Sequence, residues 1–519
     1  MKNLPRPSFA LLALASSTLI AHAEVKLASP FTPHMVLQRE MRVPVWGTAA
    51  ADENVTVAFA GQKKSVKAGA DGQWRVDLAA LKTSAEGQMF TVTGSATPQP
   101  IALEDVLVGE VWLGSGQSNM VSTVAKKGGP YGVINEADEI AAANYPRIRI
   151  FTAGDTKSYE RKDAVRGTWT VCSPEVAGNF SAIGYMFSRD LQKELNVPVG
   201  FMTVASGASC AEAWISREAM SADGQIKFML DSIDECERYF RATPESRAGA
   251  APIRPTPINK PRTAARGAER DPASDQHFAT VLYNGMVNAV VPYAIRGVLW
   301  YQGESICWGS KGLDLYGHVL KTLVKDWRAR WGEGDLPFYL VQLPGQQNIS
   351  NNPRIREEQA KVLALPNTGM AVTIDVGEAK DVHPHNKAPV ANRLTRLALA
   401  DVYGKKIEGR SPMFASLKID GAAARVKFSH AAAGLAAKGG ALKGFQIAGA
   451  DKNFVDAAAR IEGDSVVVSA ATVGQPVAVR YGWDNYPEGM GCNLVCGDLP
   501  AAPFRTDTWA YPIAGLVEH

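Results

Sequence analysis

A serine follows directly after an apolar stretch near the start of the chain's central region. Residues 107–120 read LVGEVWLGSGQSNM, so an apolar run ends in Gly116, Gln117, Ser118 and Asn119. A turn at the end of a buried strand would present both the hydroxyl and the N–H of Ser118, as acyl transfer requires of a nucleophile. Gly, Ser and Asn also favour ordinary surface turns. Serine catalysis is therefore indicated only if other segments supply its remaining groups.

Other strand-like segments end in residues that would complete such a site. One is followed by Ser206-Gly207-Ala208-Ser209 and another by Gln302-Gly303-Glu304-Ser305. A third precedes the loop DVHPHNK, which contains His383. Together these segments offer accessible backbone amides, a side-chain amide and an imidazole. With Ser118 they are the parts of serine acyl transfer, namely a nucleophile, oxyanion donors and a general base.

The position of each histidine favours His383 as the general base. Six of the eight histidines lie in the amino-terminal apolar segment, at the carboxyl end, in β-patterned regions or in helical segments: His22, His519, His34, His430, His277 and His318. Of the other two, His383 follows an acidic residue and precedes Pro384, which restricts the local backbone. We interpret His385 as a solvated or structural neighbour.

The segments around these residues predict an α/β domain. Strand-like runs alternate with helical segments from residue 105 to about 404, which indicates a parallel sheet covered by helices on both faces. Ligands of such sheets bind beyond the carboxyl ends of the strands. The Pro- and Arg-rich stretch at about 245–275 is predicted to be a long loop inside this domain. Its six strand-like runs are VLVGEVWLGS, RIRIFTAG, PVGFMTVAS, RGVLWYQGES, PFYLVQLPG and MAVTIDVG.

Two β-rich modules are predicted to flank this domain. Residues 24–104 contain period-2 patterns such as VTVAFAG and WRVDL, separated by Gly/Asp turns, which are typical of a small antiparallel sandwich. Residues 405–519 return to β patterning in ARVKFSH and PVAVRYGW. Residues 1–23 have a basic start, a short apolar run and Ala21-His22-Ala23, as in a cleavable secretory signal. We therefore expect a periplasmic or secreted protein with no membrane association after cleavage.

Composition excludes several functional classes. With 519 residues, the chain is long enough for two or three domains, and its net charge of +3 argues against a dedicated nucleic-acid binder. No glycine-rich phosphate loop, HExxH motif or zinc-spaced Cys/His cluster is present. We therefore predict neither a cofactor nor an obligate metal. Among the six cysteines, Cys492 and Cys496 are close enough to form a local bridge.

Several motifs resemble the sialate O-acetylesterase family, a branch of the SGNH hydrolases. They are GEVWLGSGQSNM, LYNGM, GVLWYQGES and HPHNK, with FTPHMVLQRE and PVAVRYGWDNYP near the two ends. The resemblance covers nearly the whole chain after the signal segment, in the same motif order. It implies an SGNH-type three-layer α/β/α domain, flanked by the β-rich modules, with Ser118 as nucleophile and His383 as base. It also implies an oxyanion hole formed by the N–H groups of Ser118 and Gly207 and by the side-chain amide of Gln302.

Two positions depart from the family pattern. The usual Gly-Gly-Thr reads Gly207-Ala208-Ser209, and Lys380 stands where many SGNH enzymes have the triad aspartate. The group that orients His383 is therefore open between Asp381, which leads, Asp375 and a backbone carbonyl. We interpret Glu304 as a structural carboxylate.

The implied substrate is an O-acetylated sugar or glycan, with sialic acid suggested by the family name. Acetylated plant cell-wall hemicellulose is an alternative substrate. A lipase or thioesterase, or a non-catalytic glycan-binding protein, are further alternatives. The oligomeric state does not follow from the sequence.

Overall fold

The computed structural model describes residues 24–97, 99–127, 131–243, 275–348 and 350–511. The predicted signal segment and nearly all of the predicted 245–275 loop lie outside these residues. Within them, no helix combines the length and apolar character that crossing a bilayer requires.

The amino-terminal strands form two small sheets. β1, β3 and β6 form one sheet, and β4 pairs with β5 and β7 in the other. In β4 and β6 every second side chain is buried, which follows from the alternation seen in the sequence. The bounds are β1 Lys26–Leu27, β2 Val36–Gln38, β3 Val43–Thr48, β4 Asn54–Phe59, β5 Gln62–Lys67, β6 Gln73–Leu78 and β7 Ser84–Gly94.

One long strand, β8 (Ile101–Gly116), connects this region to the central sheet. Its first half pairs with β7 and β2, and its second half pairs with two strands of the central domain. The predicted boundary between residues 104 and 105 falls inside this strand. The side chains of both regions form a single buried cluster.

The central sheet has the order β10-β9-β11-β8-β12-β13-β14, and all its pairs except β10–β9 are parallel. The six predicted strand-like runs therefore lie side by side, and their carboxyl ends meet at one edge. These strands are almost wholly buried because helices cover both faces. The remaining bounds are β9 Tyr145–Thr152, β10 Trp169–Cys172, β11 Val199–Ala205, β12 Gly297–Tyr301, β13 Phe338–Val341 and β14 Thr368–Ala371.

Aromatic contacts show which helices cover each face. Successive residues of a strand point to opposite faces. Phe338 packs against Trp327 of one helix, whereas Tyr339 stacks on Trp112, which contacts Phe187 of another. The predicted three-layer α/β/α arrangement is thus confirmed. The α-helices span Ser118–Val121, Glu136–Ala141, Pro174–Ala177, Ala182–Leu195, Arg217–Ala222, Lys227–Arg241, Asn288–Val290, Gly309–Trp331, Asn352–Ala360 and Ala388–Asp401, with 3₁₀ turns at Ala211–Trp214 and Lys361–Ala364 and a π-helix at Tyr283–Val287.

The carboxyl-terminal strands form three sheets around a second buried cluster. This cluster also includes Met370 and Val372 from the β14 region, so the module packs directly against the central domain. The buried guanidinium of Arg356 reinforces the contact by donating hydrogen bonds to the carbonyls of Asp484 and Asn485. The bounds are β15 Met413–Asp420, β16 Ala423–Ser429, β17 Leu435–Ala437, β18 Phe445–Ala448, β19 Val455–Asp456, β20 Ala458–Glu462, β21 Ser465–Ser469, β22 Ala478–Tyr481, β23 Leu494–Cys496, β24 Leu499–Pro500 and β25 Phe504–Arg505.

The disulfide differs from the local bridge suggested by the sequence. Cys492 and Cys496 are unpaired, and Cys210 is joined to Cys307 across a sequence separation of 97 residues. These two cysteines follow β11 and β12, which flank β8. Long-range pairing depends on strand order, which cysteine spacing does not encode.

Candidate active site

The turn that carries Ser118 is built by a close approach between two strands. β8 ends at Gly116, whose φ of +126° favours glycine, and a Cβ there would lie 2.1 Å from the carbonyl oxygen of Tyr301. The N–H of Gln117 donates to the same carbonyl at 2.9 Å. Ser118 is therefore fixed at the first position of the short helix that follows.

His383 lies directly against this serine. Its Nε2 is 2.9 Å from Ser118 Oγ, although the two residues are 265 positions apart in sequence. It belongs to the loop between β14 and helix Ala388–Asp401, which begins at the same sheet edge. The distance is that of a hydrogen bond, so the imidazole can accept the serine proton.

Asp381 is the carboxylate beside this histidine. One oxygen, Oδ1, accepts the backbone N–H of His383 at 2.8 Å and lies 3.4 Å from its Nδ1. The second distance is longer than a good hydrogen bond, a looseness that is common before substrate binds. Asp375 instead forms two 2.7 Å hydrogen bonds with the guanidinium of Arg393. Both oxygens of Asp375 are therefore bonded to Arg393. Asp381, not Asp375, is the carboxylate that lies next to His383.

The surroundings of His383 favour the neutral imidazole. Burial lowers the pKa of His383 below its ordinary value, the charge of Lys387 lowers it further, and Asp381 opposes both effects. The ring of Tyr131 packs edge-on against the imidazole, with ring centres 5.3 Å apart. A neutral imidazole at neutral pH is the form that can act as a base.

The backbone N–H groups of Ser118 and Gly207 belong to adjacent segments. A Cβ added to Gly207 would be 4.0 Å from Ser118 Cβ, so the two backbones are adjacent. In the part of the chain that the structure describes, neither N–H donates a hydrogen bond to another protein group. Ala208, which replaces a family glycine, has a φ of +55°, a left-handed conformation that is uncommon for alanine.

Gln302 is positioned differently from the prediction. Its side chain is fully buried, and Nε2 donates to the carbonyls of Ser209 and Ser305, both at 3.0 Å. Its Oε1 accepts a 2.7 Å hydrogen bond from the hydroxyl of Tyr316. An amide has two N–H bonds, so none is left for a substrate oxygen. Gln302 therefore joins the loops after β11 and β12, as the Cys210–Cys307 disulfide does.

A buried polar group that the sequence patterns did not predict lies next to Ser118. The amide of Asn119 contacts Glu304 and Lys387; Asn119 and Lys387 are fully buried, and Glu304 is partly buried with its Oε2 shielded from solvent. Burial raises the pKa of Glu304 and lowers the pKa of Lys387 to about 7. Asn119 and Lys387 lie within the family-like motifs GQSN and HPHNK, which was the available signal.

A second group of polar side chains has a spacing suited to a cation. Glu378, Asp381 and His385 each bring one ligand atom within 4.8 Å of the others. A hydrogen bond of 2.9 Å between His385 Nδ1 and Glu378 and the contacts of Asp381 with His383 account for this spacing. The site therefore brings together a serine, an imidazole, a carboxylate and two adjacent backbone N–H groups, which are the kinds of group that serine acyl transfer uses.

Comparisons with known proteins agree with this chemistry. Residues 269–403 match the family model described as carbohydrate esterase, sialic acid-specific acetylesterase. The chain is 29% identical to the sialate O-acetylesterase of Rattus norvegicus over 443 residues, which is 78% of each protein. It is also 29% identical to the Homo sapiens enzyme over 423 residues, covering 73% of this chain and 72% of that one.

A solved structure gives the same result. The crystal structure of a carbohydrate acetylesterase from Xanthomonas citri has a TM-score of 0.78 and 33% sequence identity, covering 93% of this chain and 100% of that chain. The likeness extends over the flanking β-rich regions as well as the central domain. This chain therefore belongs to the sialate O-acetylesterase family of carbohydrate esterases, and it is an esterase.

Proposed function

We propose that this protein removes O-acetyl groups from sugar hydroxyls through an acetyl-Ser118 intermediate. The observation that carries the proposal is the 2.9 Å contact between Ser118 Oγ and His383 Nε2, next to the N–H groups of Ser118 and Gly207, which have no protein partner among the described residues. The proposed substrate is an O-acetylated sialic acid, because the rat and human relatives are named for that activity.

The first half of the reaction transfers the acetyl group to the enzyme. His383 Nε2 takes the proton of Ser118 as Oγ attacks the ester carbonyl carbon. The carbonyl oxygen becomes an oxyanion facing the N–H groups of Ser118 and Gly207; one such donor is typically worth about 3 kcal/mol in the transition state. The bond between the acyl carbon and the sugar oxygen then breaks, and that oxygen takes the proton from His383 and leaves as the sugar hydroxyl.

The second half regenerates the serine. His383 removes a proton from water, and the resulting hydroxide attacks the acetyl carbon of the ester at Ser118. The intermediate collapses to acetate, and Oγ recovers its proton from His383. Asp381 stabilises the positively charged imidazole that exists during each half-reaction.

We further propose that the protein is exported. The basic and apolar residues that precede Ala23 support this, and so does the Cys210–Cys307 disulfide, because disulfides persist mainly in oxidising compartments. Cell fractionation and amino-terminal sequencing test it, and a mature protein beginning at Glu24 is the expected result. An unprocessed cytoplasmic chain would contradict it.

The central experiment compares wild type with Ser118→Ala on three substrates. These are an acetyl aryl ester, O-acetylated sialic acid and acetylated hemicellulose, with released acetate measured in each case. Wild type is expected to deacetylate the sialic acid, and the variant is expected to be inactive on all three. A preference for hemicellulose would replace the proposed substrate, and activity retained in the variant would remove Ser118 as nucleophile.

Trapping distinguishes the covalent route from direct attack by water. Wild type quenched in acid during turnover is expected to carry one acetyl group on the peptide that contains Ser118, detected by mass spectrometry. Ser118→Ala is the matched control and should carry none.

A further inference from the structure

Asn119 makes three polar contacts from the residue next to the nucleophile. Its side chain is fully buried. Nδ2 donates to Glu304 Oε1 at 2.5 Å and to the carbonyl oxygen of Val382 at 2.9 Å. Oδ1 accepts a hydrogen bond from the ammonium of Lys387. Both N–H bonds and the carbonyl oxygen of the amide are therefore in use.

The partners of Asn119 come from separate segments at the carboxyl edge of the sheet. Glu304 follows β12, Val382 immediately precedes His383, and Lys387 immediately precedes helix Ala388–Asp401. One amide thus connects the serine turn to the β12 loop and to both sides of the histidine. The hydrogen bond to Val382 is the most direct of these connections to His383, because it holds the carbonyl group that immediately precedes the histidine.

Stability alone is a poor explanation for this arrangement. Burying a carboxylate and an ammonium costs free energy that their attraction recovers only in part, and apolar residues often serve as well or better. Glu304 is also incompletely satisfied, since its Oε2 has no hydrogen-bond partner in the described part of the chain. A buried polar group that costs free energy and contacts the segments of both Ser118 and His383 is better explained by its effect on the relative position of these two residues.

We propose that Asn119 is a positioning residue that sets the approach of His383 to Ser118, with Glu304 and Lys387 holding its amide in the required orientation. This inference rests on the proposed function, in which the two residues exchange a proton. A displacement of about 1 Å between reacting groups can cost about 100-fold in rate. The expected effect of losing the amide is therefore on kcat rather than on KM.

The test is the substitution Asn119→Asp, which keeps shape but replaces the donor by an oxygen facing Glu304 and the Val382 carbonyl. We expect kcat on the acetyl aryl ester to fall about 100-fold with KM nearly unchanged. The rate at which a fluorophosphonate labels Ser118 should fall in parallel, because labelling also needs His383 to activate the serine. Glu304→Gln keeps the acceptor oxygen and should retain most of the activity.

Asn144→Asp is the matched control, since it makes the same substitution at an exposed residue outside the contacts described above. It should leave kcat and the labelling rate unchanged. If Asn119→Asp does not fold, Lys387→Met takes its place, because it removes the donor to Asn119 Oδ1 in a side chain of similar length. The same loss of kcat and labelling rate is expected.

The outcomes separate this inference from the proposed function. If wild type hydrolyses the acetyl ester and Ser118→Ala does not, the proposed function stands. A folded Asn119→Asp with wild-type kcat and labelling rate then overturns this inference alone. If wild type releases no acetate from any substrate, the proposed function fails, and the labelling rates of Ser118 still decide whether Asn119 positions the base.

Discussion

Two junctions hold the segments around Ser118, and they are built from different chemistry. The oxyanion junction consists of residues 206–210 and 302–307, which are joined by the Cys210–Cys307 disulfide and by the neutral amide of Gln302. The base junction consists of residues 376–387, which Asn119, Glu304 and Lys387 connect to the serine turn. The links within the first junction are a covalent bond and a neutral amide, whereas the links within the second are polar and include ionisable groups.

The difference matches what each side of the proposed acetyl-Ser118 reaction would require. The backbone N–H groups that face an oxyanion keep their protons throughout, so a fixed frame that does not respond to pH serves them best. The imidazole gains and loses a proton in each half-reaction, so nearby charges determine its protonation state before each proton transfer. We infer that the base junction governs how activity depends on pH and that the oxyanion junction governs geometry.

The largest expected effect comes from replacing Ser118 or His383, the two residues that the junctions hold in position. Ser118→Ala and His383→Ala should each lower kcat by about 10⁶-fold, and the double variant should be little worse, because the residues act as one unit. Initial rates on the acetyl aryl ester measure this. An effect of His383→Ala far smaller than that of Ser118→Ala would mean that another group acts as base.

The two candidate carboxylates should differ strongly within the base junction. Asp381→Asn should lower kcat by about 10²- to 10⁴-fold, because the imidazolium loses its stabilising charge. Asp375→Asn should leave kcat close to wild type and lower the melting temperature instead, because it weakens the pair with Arg393. Kinetics and thermal melting of both variants test this, and equal mild losses in kcat would favour a Ser–His dyad.

Breaking the oxyanion junction should affect stability as well as rate. A disulfide that closes a loop of 97 residues is worth about 4.7 kcal/mol in unfolding free energy in the chain-entropy model. Cys210→Ser with Cys307→Ser should approach that loss in urea unfolding and lower kcat less than Asp381→Asn does. Wild type unfolded with and without reductant is the companion measurement, and reductant should not affect the double variant.

Gln302→Leu tests whether that residue joins loops or stabilises the oxyanion. It leaves the buried carbonyls of Ser209 and Ser305 without their shared donor, so the unfolding free energy should fall by about 2 kcal/mol or more. A direct oxyanion donor would instead show a 10²- to 10³-fold loss in kcat, as is typical for such donors, at wild-type stability. That second result would restore the role predicted from the sequence.

The smallest expected effect is on pH dependence, and its sign distinguishes the junctions. Burial and Lys387 lower the pKa of His383, Asp381 raises it, His385 makes a smaller lowering contribution and the edge of Tyr131 covers the ring. Because the base must be neutral, the acid limb of kcat/KM should lie below the ordinary histidine value of about 6.5. Lys387→Met should move that limb to higher pH and Asp381→Asn to lower pH. The Cys210/Cys307 variant should not move it.

The sequence was sufficient to predict the sheet and the residues that approach Ser118. Alternation of apolar strands with helical segments predicted the strands that meet at one edge, and that edge brings Gly207 and His383 to the serine. The sequence was insufficient wherever a side chain had several possible partners. Gln302 lies at the predicted strand end, but its direction depends on the carbonyls of two loops and on Tyr316.

The same reason explains the other differences. The disulfide depends on β11 and β12 lying on either side of β8, an order that a linear pattern does not specify. Asn119 and Lys387 are polar residues in polar motifs, which are usually exposed, so their burial became evident only when the surrounding segments were packed together.

The shared strand β8 has a consequence for protein engineering. Its 16 residues span roughly 50 Å at about 3.3 Å per residue, with Ser118 just beyond one end and the pairing with β7 at the other. A truncation or domain swap at residue 105 would divide β8 within the part that pairs with β7. Chimaeras with related esterases should therefore be joined ahead of Ile101, which keeps β8 in one piece.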